Sequence, residues 1–228
     1  MEISKRLLAI IKMIKHDHLI DIGCDHAYIP IYTIKNGIVK NAIAGDLNPG
    51  PLEMAKKNAI AYNLADKIDF RLGSGLSIVK DSERAGFCTV IAGMGGFLIN
   101  KILEAARESL HEYSQIILQP QSDLYDVRKK VHELVLKIVD EEMVFEAGKY
   151  YNILSIEHGE DCAYQERDYI LGKINIERKN DVFLEYAKGE LAKLKKILSN
   201  LDKNEHLEKI KELEKLVEIY KGVLGDKA

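Results

Sequence analysis

The sequence contains no tryptophan, and its 11 tyrosines and 5 phenylalanines make up only 7% of the 228 residues. The hydrophobic core must therefore consist mainly of aliphatic side chains. There are three cysteines, Cys24, Cys88 and Cys162, and no two of them are close in sequence. This number and spacing argue against a disulfide framework and against a paired-cysteine zinc site, and they favour the reducing cytoplasm.

Long hydrophobic runs and an excess of one charge are also missing. No run of about 18 apolar residues occurs, so we expect no membrane span. The apolar residues 7–11 are followed by Lys12 and Lys15, and we expect no signal peptide. The 33 basic and 36 acidic residues give a net charge of -3. The chain as a whole is therefore not a strongly basic nucleic-acid binder, although a local basic patch remains compatible with its composition.

Short apolar runs alternate with segments of helical spacing along the first two-thirds of the chain. The runs predict strands over residues 18–22, 41–46, 67–72, 88–92 and 115–119. The helical segments cover residues 4–15, 27–36, 51–63, 97–109 and 122–135. This alternation is typical of βαβ units and a parallel sheet. Two further strands, 138–145 and 151–156, have no helix between them and should form an antiparallel hairpin at the sheet edge. The pattern predicts an α/β fold and resembles the Rossmann-like sheet of class I methyltransferases.

The composition changes near Gly159, after which Lys, Glu and Leu dominate. Two segments then show apolar residues at alternating spacings of three and four, at Leu191, Leu194, Leu198 and Leu201, and at Ile210, Leu213, Val217, Tyr220 and Leu224. This is the seam of a coiled-coil hairpin, with a break at residues 199–204. We predict an α/β domain over 1–158 and a helical hairpin domain over 159–228. The apolar residues of this seam can pack within one chain or between two chains, so we expect a monomer or a weak homodimer.

The strongest local motif is DIGCDHAYIP at residues 21–30, where the first predicted strand runs into a helix. Gly23 permits close approach of a ligand to the backbone, and the helix start offers free N–H groups. A dinucleotide fingerprint requires further glycines, and the Asp25 carboxylate would repel a pyrophosphate. A ligand with a cationic amine and no phosphate suits it better. S-adenosylmethionine (SAM) fits this description, whereas the NAD of an alternative oxidoreductase does not.

A second acidic residue, Asp46, ends the second predicted strand. An acid at this place in a nucleotide-binding sheet accepts hydrogen bonds from ribose hydroxyls. Its alternative role is to cap the turn at residues 48–51, which has the sequence NPGP.

Several motifs together resemble one family of enzymes. They are DIGCDHAYIP (21–30), GP (50–51), RLGSGL (71–76), IAGMGG (91–96), QP (119–120) and EAGKYYNI (146–153). Over nearly its whole length the chain is similar to the TrmK-type bacterial tRNA (adenine-N1)-methyltransferases, and the DIGxDHAYxP and IAGMGG pair is specific. The resemblance implies SAM-dependent methylation of N1 of adenine 22 in the tRNA D-loop. It implies a cytoplasmic enzyme with tRNA as its partner and no metal.

We assign the cofactor to residues within or beside these motifs: Asp21, Gly23, Cys24, Asp46, Leu47, Gly73, Ser74, Gly75, Ala92, Gly93 and Met94. Two positions depart from the family pattern. Ser74 replaces an Asp that would meet the adenine amine of SAM, which weakens an expected contact, and Asp46 is one methylene shorter than the common Glu. The simplest alternative for Cys24 and Cys88 is that they are small buried residues.

Adenine N1 carries an in-plane lone pair and can attack a methyl group directly, but the product ring is cationic. A carboxylate near this ring would stabilise the charge. We predict that Asp25 has this catalytic role and that His26 and Tyr28 orient or stack the base. The alternatives are a helix cap for Asp25, a surface or capping position for His26, and core packing for Tyr28.

The substrate is expected to contact Gly95, Gly96, Gln119, Pro120, Tyr150, Tyr151, Lys5 and Arg6. The glycines would form a backbone wall beside the base, or simply a tight turn; Gln119 and Pro120 would line the pocket, or form a plain turn. An adenine extruded from the tRNA would stack on Tyr28, Tyr150 or Tyr151. The tRNA phosphates would contact basic side chains of the first helix and of the Lys188–Lys196 face. The alternative is that these lysines and arginines only face solvent.

Two functional alternatives remain open from the residues. One is a methyltransferase-like module that binds RNA without catalysis, which Ser74 favours. The other is a SAM-dependent methyltransferase that acts on another substrate, in which case the helical tail has no obvious role.

Overall fold

The computed structural model describes residues 3–201 and 206–225. Its strands are β1 (His18–Ile22), β2 (Asn41–Asp46), β3 (Ile68–Leu72), β4 (Phe87–Met94), β5 (Gln115–Pro120), β6 (Leu136–Glu146) and β7 (Lys149–His158). Its α-helices are α1 (Lys5–Lys12), α2 (Tyr28–Lys35), α3 (Pro49–Ala61), α4 (Asp81–Arg84), α5 (Gly96–Ala105), α6 (Leu124–Glu133), α7 (Glu166–Leu171), α8 (Lys173–Arg178), α9 (Asp181–Asn200) and α10 (Leu207–Leu224). Short 3₁₀ turns cover Ala65–Lys67, Gly75–Ile78 and Arg107–Glu112.

The seven strands form one sheet in the order β3-β2-β1-β4-β5-β7-β6. Strands β1 to β5 are parallel, β7 is antiparallel to β5, and β6 is antiparallel to β7. The predicted α/β sheet and its terminal hairpin are confirmed. Because β6 is reversed twice relative to β5, it runs in the same direction as the parallel strands. Strands β1 to β6 therefore all end at one side of the sheet, which we call the carboxyl edge.

The first two helices begin in different ways. The Ser4 hydroxyl accepts a hydrogen bond from the Leu7 N–H at 3.2 Å, so Ser4 is the N-cap of α1, as predicted. Helix α2 begins at Tyr28 after Ala27, whose φ of 55° is left-handed and which makes no side-chain capping bond. The alternative role of Asp25 as the cap of this helix is therefore wrong.

The junction between β4 and α5 differs from the prediction. Strand β4 continues through Gly93 to Met94, with an irregular register against β5 between Ala92 and Met94. Helix α5 begins at Gly96, where a Cβ atom would lie only 2.5 Å from the Ser122 carbonyl oxygen. Glycine thus permits α5 to pack closely on the chain leading into α6.

The core is aliphatic, as the shortage of aromatic residues predicts. Its fully buried side chains include Ile10, Leu19, Ile91 and Ile117, and the thiol-bearing side chains of Cys24 and Cys88 are also buried. No helix in residues 3–201 or 206–225 is long and apolar enough to cross a membrane.

The chain divides into two compact units, Met1–Ala163 and Tyr164–Ala228. The change in composition at Gly159 lies just before this division. In the second unit, the long helices α9 and α10 pack together as the expected hairpin. Leu191, Val217 and Tyr220 of the predicted seam are buried. Helix α9 continues through Asn200, where a break was predicted, and residues 202–204 of that break lie outside the described residues. The short helices α7 and α8 were not predicted.

Candidate active site

The turn between β1 and α2 is held against β2 by two backbone hydrogen bonds. The N–H groups of Gly23 and Cys24 donate to the Gly45 carbonyl oxygen at 2.8 and 3.0 Å. Gly23 has a φ of 72° and Asp25 a φ of 47°. A left-handed aspartate is uncommon and costs conformational energy, which the surrounding contacts must supply. The turn therefore presents the Asp25 side chain in a fixed direction from the carboxyl edge.

Asp46 connects the turns that follow β1 and β2. Its carboxylate accepts hydrogen bonds from the Asn48 N–H at 2.9 Å and the Asp25 N–H at 3.4 Å, and the residue is only 9% exposed. Its carbonyl oxygen accepts from the Gly73 N–H at 2.9 Å, which adds the end of β3. The turn-capping interaction is therefore present. Ribose binding by the same carboxylate stays a prediction.

Asp21 is a buried carboxyl in the middle of the sheet. Its burial and, to a smaller extent, the negative charge of Asp46 raise its pKa from 3.8 to about 7. Burial also raises the pKa of the Cys24 thiol above its ordinary value, with a further contribution from Asp21. Cys24 is therefore a protonated thiol at neutral pH, consistent with the expectation of a small buried residue.

The end of β4 is joined to α1 through one buried glutamine. The Gln119 side-chain oxygen accepts from the Arg6 guanidinium at 2.7 Å, the Gly93 N–H at 3.2 Å and the Gln121 amide at 3.1 Å. Arg6 also lies over the Tyr151 ring, 5.6 Å from its centroid. Gln119 belongs to β5 and is fully buried, so its alternative role as part of a plain turn is wrong. The same burial contradicts the predicted direct contact of Gln119 with the substrate, and its side chain instead holds Arg6.

A cavity of about 230 Å³ opens between these elements at the ends of β1 and β4. Nine predicted site residues line it, together with two apolar residues, Leu7 and Ile29, that the sequence did not indicate. The nine are Arg6, Asp21, Gly23, Cys24, Asp25, His26, Tyr28, Ala92 and Gly93. The structure thus brings the predicted catalytic residues to the same cavity as the predicted glycines of the cofactor site.

Among the three predicted catalytic residues, His26 contacts both of the others. The His26 Nε2 atom lies 3.5 Å from an Asp25 carboxylate oxygen. The His26 ring stacks on the Tyr28 ring, with centroids 5.2 Å apart and planes inclined by 24°. The Asp25 side chain is 68% exposed and Tyr28 is 44% exposed. The alternative role of Tyr28 in core packing is therefore wrong, and both groups are accessible to a substrate.

Other predicted residues lie around this cavity rather than in it. Ser74 and Gly75 line a separate cavity of about 370 Å³ beside α5. Leu47 is exposed after β2, and Gly95 is the N-cap of α5. Met94 lies behind the turn, with its terminal methyl group where a Cβ atom on Gly23 would stand. Next to it, Pro120 pairs with Met94 in the sheet, and Gly96 lies against α6.

The remaining substrate candidates follow the carboxyl edge toward β6. The backbone N–H of the exposed Lys5 donates to the Glu146 carboxylate at 2.6 Å, which ties the start of α1 to the end of β6. Tyr150 contacts the Phe145 ring, with centroids 4.6 Å apart. Sequence reasoning gave Glu146 no role, because the bond joins residues 141 positions apart and no local pattern predicts it.

Comparisons with known proteins agree with this geometry. Residues 19–222 match the TrmK family, described as tRNA (adenine(22)-N(1))-methyltransferase. The chain is 33% identical to the tRNA (adenine(22)-N(1))-methyltransferase of Bacillus subtilis, and the alignment covers 98% of each. A Streptococcus pneumoniae protein crystallised with S-adenosyl-L-methionine is 34% identical, with a TM-score of 0.87 over 98% of this chain and 100% of that one. Mycoplasma capricolum TrmK with S-adenosylhomocysteine is 27% identical, with a TM-score of 0.83 and 97% coverage of both chains. The chain belongs to the TrmK family.

Proposed function

We propose that this chain transfers the methyl group of SAM to N1 of adenine 22 in the D-loop of tRNA. The observation that carries the proposal is the cavity at the ends of β1 and β4. It is lined by the carboxyl groups of Asp21 and Asp25 and by Gly23 and Gly93, two glycines with positive φ. Membership of the TrmK family gives the substrate and the atom. Adenine N1 carries no proton that must be removed before it attacks the methyl group, so the reaction requires no strong base in the site.

The residues present fit SAM. Gly23 and Gly93 line the cavity with φ values of 72° and 76°, which glycine adopts without strain, and the absence of a side chain at Gly23 leaves room for Met94 against the turn. Asp21 supplies a carboxyl group for the positive charge of the ligand, and Asp46 lies where ribose hydroxyls are held in such sheets. Bound SAM supplies an electrophilic methyl group on a positively charged sulfur.

The chain's own residues then act on the adenine. Tyr28 presents an exposed ring at the cavity mouth and supplies a stacking surface for the extruded base. As the ring becomes positively charged, the Asp25 carboxylate stabilises it, and an anion fixed in place does so without reorganisation. His26 contacts both side chains and positions them. Arg6, held by Gln119, also lines the cavity.

Methyl transfer from labelled SAM to unmodified tRNA transcripts tests the function. Transcripts with adenine or guanine at position 22 are compared, and the nucleosides are identified by mass spectrometry. We expect 1-methyladenosine only from the adenine transcript. Labelling of both transcripts, or of another nucleoside, would contradict the proposed target.

The role of Asp25 is tested by Asp25→Ala. We expect the SAM dissociation constant, measured by calorimetry, to stay within about threefold of wild type. We expect kcat to fall at least about 100-fold, the scale found for removal of one group that stabilises transition-state charge. Equal losses in SAM affinity and turnover would instead assign Asp25 to the cofactor.

We also propose that the enzyme acts in the cytoplasm as a monomer or weak homodimer. The buried free thiols of Cys24 and Cys88 suit a reducing compartment. Helices α9 and α10 pack on one another within one chain, which supports a monomer. Light scattering at several protein concentrations tests the oligomeric state, and a concentration-independent dimer mass would contradict it.

A further inference from the structure

The exposed aromatic side chains are concentrated at one place in the molecule. Of the 11 tyrosines and 5 phenylalanines, all within the described residues, only Tyr28, Phe97 and Phe145 are exposed. Tyr28 is the first residue of α2, the helix that follows β1; Phe97 is the second residue of α5, the helix that follows β4; and Phe145 is the penultimate residue of β6. All three therefore lie at the carboxyl edge, where the cavity opens.

Phe97 is the most exposed of the three, at 67%. It is the second residue of α5 and is separated from the end of β4 by only Gly95 and Gly96. The Lys101 ammonium lies 4.5 Å from the centroid of the Phe97 ring, one helical turn further along. Phe97 does not line the 230 Å³ cavity, which Tyr28 borders instead. It is an open ring beside a cation, next to the cavity but outside it.

A single exposed apolar residue is ordinary in a folded protein. Ile60, at 63%, is almost as exposed, but it lies near the end of α3, on the amino side of the sheet. The position of Phe97 is what distinguishes it. Aromatic rings paired with cations are the usual elements of binding to unpaired RNA bases. An adenine extruded from a tRNA leaves its neighbours without a stacking partner, and those neighbours must then lie beside the cavity.

We propose that Phe97 stacks on a tRNA base that neighbours the extruded adenine, with Lys101 contacting the adjoining phosphate. Tyr28 serves the adenine itself, so the two rings have separate partners. This inference rests on the proposed function, because it takes tRNA as the substrate. It adds a positioning residue for RNA that lies outside the methyl-transfer cavity.

The absence of tryptophan permits a direct optical test. Phe97→Trp introduces a unique tryptophan, and Ile60→Trp introduces one at a matched exposed position on the other side of the sheet. We expect saturating unmodified tRNA transcript to quench the emission of Phe97→Trp and to leave Ile60→Trp unchanged. SAM alone should change neither. An unquenched Phe97→Trp with tRNA bound, or equal quenching in both variants, would overturn the proposal.

Kinetics provide a second, independent test. We expect Phe97→Ala to raise the KM for tRNA about tenfold, with kcat and the SAM dissociation constant unchanged. Phe97→Tyr should keep the wild-type KM, whereas Phe97→Leu should resemble Phe97→Ala, because stacking requires a ring. A wild-type KM in Phe97→Ala or Phe97→Leu would overturn the proposal. The fluorescence test requires no methyl transfer, so a wild-type protein inactive on tRNA would refute the proposed reaction separately.

Discussion

At the scale of single residues, Asp21 is a buried acid whose pKa lies well above its ordinary value. Its pKa of about 7 in the folded protein, against 3.8 ordinarily, means that the folded state binds more protons than the unfolded state between these values. The contribution of Asp21 to the free energy of unfolding therefore falls as the pH rises from about 4 to about 7, and it levels off above that. A buried acid that costs stability at neutral pH is typical of a functional site.

Replacement of Asp21 by Asn tests this. At pH 8 we expect Asp21→Asn to be more stable than wild type by about 4 kcal/mol, since the cost of ionising a buried acid is removed. At pH 4 the two proteins should be equally stable. Urea unfolding across this range measures the difference, and parallel curves for the two proteins would contradict the raised pKa. SAM affinity should fall in the variant, because a negative charge near the cationic ligand is lost.

At the scale of elements, the approach of α5 to the start of α6 depends on one missing methyl group. A Cβ atom on Gly96 would lie 2.5 Å from the Ser122 carbonyl oxygen and 2.9 Å from the Cβ of Asp123 and a methyl group of Val127. The backbone oxygen cannot yield by rotation of a side chain, so α5 itself would have to move. Gly96 thereby sets the position of the turn that borders the cavity.

We expect Gly96→Ala to lower the free energy of unfolding by about 1–3 kcal/mol, the cost of overpacking a tight contact. Gly189→Ala is the matched control: Gly189 lies within α9, and a Cβ atom there has no neighbour within 4 Å. That variant should be neutral or slightly stabilised, because alanine is the better helix former. Thermal melts of both variants measure this, and equal stability of the two would show that the contact at Gly96 is not tight.

At the scale of the whole molecule, the net charge of -3 cannot attract tRNA, so binding depends on local cations. The exposed Lys188, Lys195 and Lys196 of α9 form one such group in the second unit. Contacts of lysines with phosphates release counterions, so the affinity should fall steeply as salt increases.

We expect Lys195→Glu/Lys196→Glu to weaken tRNA binding about tenfold at 0.1 M salt and to reduce the salt dependence, with SAM affinity unchanged. Lys57→Glu/Lys67→Glu changes the net charge equally at exposed positions in the first unit and should weaken binding much less. Filter binding at several salt concentrations measures both variants. Equal losses would mean that the whole-molecule charge, and not the α9 face, governs the affinity.

Much of the fold could be predicted because the signals are local. The Ser4 cap, the five parallel strands and the late hairpin could be predicted from neighbouring residues. A cap depends on the residue type at one position, and strands and helices depend on the spacing of apolar residues. The predicted boundaries of the elements at the glycine motifs were less accurate. The start of α2 at Tyr28 and the extension of β4 to Met94 depend on left-handed residues and on a register irregularity, which composition does not reveal.

The sequence by itself determined the α/β class, the motif residues, the family and the reaction, because each depends on residue type and spacing. Only the tertiary structure decided which of those residues meet. It joined Arg6 to Gln119 and Lys5 to Glu146, and it placed Tyr28 and Phe97 on the surface rather than in the core. These outcomes depend on strand order and on contacts between segments that are distant in sequence. Hydrogen-bond geometry and packing select the partners in such contacts, and the local sequence pattern does not.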